Sequence, residues 1–143
     1  MPNCKDVAAY ILHEHKAMSA MKLQKLVYYS QAWSLVWDEA ELFPERIEAW
    51  ANGPVCPLLY EAHKGAFTVT DGDIKGDRKR LNKDQRDTVD AVLEFYGDKS
   101  AQWLSELTHA EDPWRNARVG LSSGERGSKV ISHAAMAEYY SSL

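Results

Sequence analysis

The sequence predicts a mainly α fold: a single compact helical domain over residues 1–143, with a small β element near residues 42–70. Three observations predict it. Residues 19–38 carry apolar side chains on nearly every face of a helical wheel, the mark of a central, mostly buried helix. Residues that cap helices (Asn3, Ser19, Asn82, Ser100 and Ser132) stand ahead of further runs with helical spacing. Between residues 42 and 70 alone, the pattern shifts to a period of two with clustered Gly and Pro. A chain of 143 residues has room for one well-cored domain and not for two.

Taken in order, Asn3 opens a helix whose inner face carries Val7, Ala8, Ile11 and Leu12. Ser19 caps the long helix, which runs to about Asp38. Its Gln24 and Gln31 are seven apart and so share one stripe, with Tyr28 between them. Trp33 and Trp37, like Trp103 further on, are placed on helix faces and expected in the core. Trp50 and Trp114 lie beside turns, where a place at a rim and one in the core fit about equally well. Ile47, Ala49 and Ala51 alternate with Glu48 and Trp50, which reads as a short strand, and Asn52-Gly53-Pro54 reads as a turn. Pro57 starts a short helix that Gly65 ends, and residues 67–70 form a second extended piece.

Asn82 and Gln85 make a capping box ahead of Val89, Val92, Leu93 and Tyr96, and Gly97 closes that helix. Ser100 opens a helix containing Trp103, Leu104 and Leu107. Asp112-Pro113 reads as a cap followed by proline at the first helical position, with Gly120 ending the piece. Residues 120–128 are a flexible stretch. Ser132 caps a last helix over about 132–142, through Tyr139 and Tyr140.

Composition narrows the function. Hydrophobic residues at 45% and charged residues at 27% exclude a wholly disordered chain. A net charge of -4 argues against a general nucleic-acid binder. The apolar run at 7–12 is too short for a signal peptide, and no stretch reaches the ~18 apolar residues of a membrane span. Cys4 and Cys56 cannot build a disulfide scaffold and fit a reducing compartment, so the cytoplasm is the expected location.

Catalytic and metal-binding patterns are sparse. His13 and His15 are two apart on a helix and point roughly 200° away from each other, the wrong spacing for a shared metal. Asp71, Asp73 and Asp77 lack the calcium-loop pattern. Cys56 lies at the mouth of a predicted helix, where a thiol is activated. Val55 and the flanking prolines suit a buried hydrophobe better. No catalytic residue, metal or cofactor is assigned, and an enzyme is disfavoured. One basic cluster stands out: Lys75, Arg78, Lys79, Arg80, Lys83 and Arg86 against Asp77 and Asp84, a local net of +4 that leaves -8 elsewhere. Such a patch suits an acidic protein surface or phosphates. Without interleaved aromatics it disfavours single-strand stacking, and nucleic acid with it.

Four ordered blocks carry a family resemblance. They are Lys22-Leu23-Gln24-Lys25-Leu26-Val27-Tyr28-Tyr29-Ser30-Gln31-Ala32-Trp33; Ile47-Glu48-Ala49-Trp50-Ala51-Asn52-Gly53-Pro54-Val55; Leu58-Leu59-Tyr60; and Leu107-Thr108-His109-Ala110-Glu111-Asp112-Pro113-Trp114. Together they resemble the Panacea domain of SocA-like antitoxins and phage-associated GepA-type proteins, with signature blocks over 22–60 and 104–118. Residues 131–140 resemble the family's last helix. Cys56 stands where relatives are expected to be apolar, and the basic cluster is not part of the pattern.

The resemblance implies a small, helix-rich, non-enzymatic antitoxin that neutralises a toxin encoded by an adjacent gene through protein contact. A SocA-like member does so as a proteolytic adaptor for the ClpXP protease. The candidate toxin-binding residues are Trp50, Asn52, Gly53, Tyr60 and Trp114. Gln24, Tyr28 and Gln31 are read as structural signature residues that hold the central helix by buried hydrogen bonds. The alternative is a DNA-binding autoregulator of its own operon that uses the cluster over 75–86. Pairing with itself also suits an acidic, aromatic-rich domain.

Overall fold

A computed structural model describes all of residues 1–143 and has seven helices. They are α1 (Cys4–Glu14), α2 (Ala20–Trp37), α3 (Pro57–His63), α4 (Lys83–Tyr96), α5 (Ala101–Ala110), α6 (Asp112–Ala117) and α7 (His133–Ser141). Four short strands form two antiparallel pairs: β1 (Met18–Ser19) with β4 (Thr68–Val69), and β2 (Glu48–Trp50) with β3 (Gly53–Val55). No helix is long and apolar enough to cross a membrane.

The fold is organised around α2, which packs against α1, α3, α4, α5 and α7. Its apolar residues go round the whole wheel because neighbours cover it on all sides, and Leu23 to Ala32 is buried without a break. Thirty buried apolar residues form one cluster around it. The start sites obey local chemistry. Asn3 and Asn82 each make a reciprocal capping box, with Asp6 and Gln85, and the hydroxyls of Ser19, Ser100 and Ser132 accept from backbone amides in the first turn.

Several boundaries depart from the sequence reading. Glu111, not Asp112, is the N-cap of α6, and Pro113 stands at the second helical position. α3 and α6 end at His63 and Ala117, two or three residues before Gly65 and Gly120, which adopt positive φ in the turns beyond. Gly53 belongs to β3 and pairs with Trp50, so the turn is Ala51-Asn52. β1 is a strand that sequence does not reveal, because two residues carry no detectable periodicity.

Two tryptophans expected in the core are at the surface. Trp37 is 50% exposed and Trp103 is 41% exposed, because both line an open groove. Trp33 is partly buried and packs against the core.

The stretch 120–128 returns the chain to the hairpin. The Ala49 amide donates to the Lys129 carbonyl at 2.8 Å, and the Ile131 amide to the Ile47 carbonyl at 2.8 Å. β2 is thereby flanked on both edges. Arg118, buried beneath, donates to the carbonyl oxygens of Ala49, Ser122 and Glu125 and fixes this stretch from behind.

Candidate functional site

The β2–β3 hairpin brings all five candidate contact residues into one region. Trp50 donates its indole N–H to Glu48 Oε1 at 2.9 Å, and its ring meets Tyr60 edge-on at 5.0 Å. The Trp114 indole donates to the Trp50 carbonyl at 2.8 Å, while its ring stacks on His109 at 4.0 Å. Asn52 is exposed at the turn, and its carbonyl accepts from Ser105. Gly53 is buried, with φ of +130°. A Cβ there would lie 2.5 Å from Cε and 2.9 Å from Nζ of Lys25. Glycine is needed both for that backbone angle and for the lysine passing beneath it.

Trp50, Asn52 and Tyr60 line a cavity of about 550 Å³, together with Gln24, Lys25 and His63 from the helices below. Arg126, Gly127 and Ser128 close one side. Gln24 pairs with both backbone groups of Cys56: its Oε1 accepts from the amide at 2.9 Å and its Nε2 donates to the carbonyl at 3.3 Å. The same Nε2 lies 2.9 Å from His63 Nε2, which must therefore be the unprotonated nitrogen. Burial lowers the His63 pKa, in keeping with a neutral ring.

The other two signature residues are also buried and hydrogen-bonded. Gln31 donates to the Phe43 carbonyl at 2.8 Å and accepts from the Leu42 amide at 2.6 Å, which anchors the 38–47 connection to α2. The Tyr28 hydroxyl meets that of Tyr140 at 3.0 Å.

Sequence reasoning missed Lys25. It is 1% exposed, and no protein group pairs with its ammonium; burial alone brings its pKa down to about 8. It lies in the stretch Leu23 to Ala32, where every residue of α2 is buried. Glu111 was missed as well. It is 5% exposed and accepts from Tyr29 at 2.6 Å and Tyr140 at 2.7 Å. Burial raises its pKa, and the two tyrosine bonds pull it back in part.

A second concave surface was not foreseen. Trp33, Trp37, Phe95, Trp103, Tyr139 and Leu143 line most of an apolar groove of about 690 Å³ between α2, α4, α5 and α7. Glu111 is its polar member.

The basic cluster divides in two. Arg80 reaches buried Asp6 at 3.3 Å and the Met1 carbonyl, Lys83 pairs with Asp87 at 2.8 Å, and Arg86 donates to the Leu81 carbonyl. Lys75, Arg78 and Lys79 have no side-chain partner within the fold and remain open to solvent or a ligand. Cys56 is buried, and its proximity to Cys4, with burial, raises the Cys4 pKa far above its ordinary value.

A family model described as "Antitoxin SocA-like, Panacea domain" matches residues 23–115, about two thirds of the chain. The match includes α2 from Leu23 onward, the hairpin, α3 and Trp114; the likeness noted over 131–140 lies outside it. No curated protein and no solved structure matches the chain.

Proposed function

The chain belongs to the family of SocA-like antitoxins with the Panacea domain, and from that premise we propose that it neutralises a cognate toxin, the product of an adjacent gene, by direct protein contact in the cytoplasm. The match over residues 23–115 carries this reading. The family is one of non-catalytic regulators. Cys56, the one thiol weighed as a nucleophile, lies in the hydrophobic cluster.

The proposed contact surface is the hairpin rim. Aromatic residues beside an exposed turn combine contact area with little loss of side-chain freedom on binding. Trp50 and Tyr60 are partly exposed and brace each other. Asn52 supplies an exposed amide between them and Trp114.

Co-expression with the adjacent gene tests the proposal. Growth arrest by that gene alone, relieved by this chain, is the expected result; a neighbour that is harmless alone ends the reading. Pull-down and gel filtration then distinguish two modes. A stable complex supports direct blocking. Relief without a stable complex, and with loss of the toxin that depends on a ClpXP-type protease, supports delivery for proteolysis. Trp50→Ala and Tyr60→Ala should each weaken toxin binding about tenfold or more while the helical content stays unchanged. The autoregulator reading keeps only the open half of the basic cluster, Lys75, Arg78 and Lys79. It predicts a salt-sensitive mobility shift on the upstream DNA that Lys79→Glu abolishes.

A further inference from the structure

We propose that the cavity under the β2–β3 hairpin is a binding site for a singly charged carboxylate, with the Lys25 ammonium as its counter-ion. The site goes beyond the antitoxin reading and stands whether or not the hairpin touches a toxin. Four observations carry it.

Lys25 lines the cavity, is 1% exposed, and neither forms an ion pair nor donates a hydrogen bond to any protein acceptor. An ammonium with so little access to water is destabilised unless something pairs with it. A carboxylate in the cavity would supply that partner. The backbone also makes space for the lysine: Gly53 leaves room for its Cε and Nζ where any other residue would place a Cβ against them.

Charge then selects the ligand. The ionised side chains of the lining are Lys25, Arg126 and Glu48, a net of +1. Glu48 is already satisfied by Arg46 at 2.7 Å and the Trp50 indole at 2.9 Å. One carboxylate neutralises that net charge, whereas a dianion such as a phosphate monoester would leave a surplus negative charge in a site with little water. Gln24 and His63 are committed to each other and to Cys56.

Shape sets the rest of the molecule. Met21, Trp50, Val55 and Tyr60 give the cavity apolar walls, and about 550 Å³ is within the range of small-ligand sites. The occupant is thus an apolar or aromatic group bearing one carboxylate, either a free small acid or the end of a protein chain.

The test is a titration of the wild-type protein at pH 7, by calorimetry and by the indole N–H resonance of Trp50. The probes are phenylacetate, its neutral isostere phenylacetamide, and phenyl phosphate. Phenylacetate should bind saturably and at least tenfold more tightly than either of the others. That preference over the amide should fade by roughly tenfold per pH unit above the Lys25 pKa of about 8. Lys25→Met should abolish the preference. Equal binding of acid and amide, binding of neither, tighter binding of phenyl phosphate, or a preference that survives in Lys25→Met would each overturn the site. A hexapeptide ending in Phe, with a free or an amidated terminus, identifies the source. A free-acid peptide that binds more tightly than phenylacetate supports the site with a chain end as occupant. Phenylacetate binding as tightly or more tightly supports it with a small acid.

Discussion

Lys25 and Glu111 are both buried, and neither has an ion of opposite sign beside it. The carboxylate is nevertheless satisfied. Tyr29 and Tyr140 donate to it, and because each hydroxyl has one proton, Tyr28 must donate to Tyr140 in turn. Rings reinforce the chain: Tyr29 stacks on Tyr96 at 4.2 Å, and Tyr96 accepts from the Trp33 indole at 3.0 Å. The ammonium has nothing comparable and faces a cavity instead. One half of the molecule spends its buried charge on knitting α2 to α7; the other keeps its buried charge unpaired. The difference separates a charge that builds the fold from one that waits for a ligand.

The largest expected effect comes from breaking the first arrangement. Glu111→Ala strands two hydroxyls and opens space in a dense aromatic cluster, so urea unfolding should show a loss of about 3–4 kcal/mol. A loss under about 1 kcal/mol would mean that the tyrosines find new partners, and the contrast with Lys25 would vanish.

Lys25→Met should act in the opposite direction and raise stability at pH 7 by about 2 kcal/mol, since it removes an unpaired buried charge and keeps the volume. The sign with pH follows from the lysine's pKa, about 8 in the fold against 10.5 for an exposed lysine. Between those values the unfolded chain holds more protons, so wild-type stability rises with pH relative to the variant. The advantage of Lys25→Met should therefore shrink across that window. An advantage independent of pH would place its origin in packing.

Glu111→Gln preserves the acceptor and should cost no more than about 1 kcal/mol at pH 7. A carboxyl whose pKa is raised in the fold adds stability below its unfolded pKa, and loses it as pH rises through the folded value. Wild type should gain on Glu111→Gln as the pH falls toward 4.5. Smallest of all, Trp103→Gln changes a side chain that is 41% exposed on the groove and should move stability by about 0.5 kcal/mol or less. A greater loss would mean that the groove belongs to the core.

The contrast also marks what sequence makes legible. Five helix starts could be read because a cap and its amides are within three residues of one another. The mainly α fold followed from local pattern too, whereas the turn read at Asn52-Gly53-Pro54 falls at Ala51-Asn52, because Gly53 and Pro54 pair with β2. β1 could not be read, since Met18 and Ser19 become a strand only by meeting residues 68–69, about fifty positions away. The third strand-like segment, at 129–131, is equally non-local. Trp37 and Trp103 have helical spacing that fits a core, but spacing does not say which part of that face is left open as a groove. At the candidate site, Trp50, Asn52 and Tyr60 line the cavity with Lys25, which the sequence reading did not single out. A lysine is ordinarily a surface residue, and only the all-round burial of α2 makes it otherwise.

The hydroxyl of Tyr28 and its acceptor on Tyr140 are 112 positions apart. On the ribosome, α2 is made early and α7 much later, so the aromatic face of the central helix stays uncovered through most of synthesis. Contacts this distant in sequence form slowly and leave apolar surface open to aggregation and proteases in the meantime. A chain whose translation stalls ahead of α7 is therefore a substrate for degradation and not a weaker version of the finished protein.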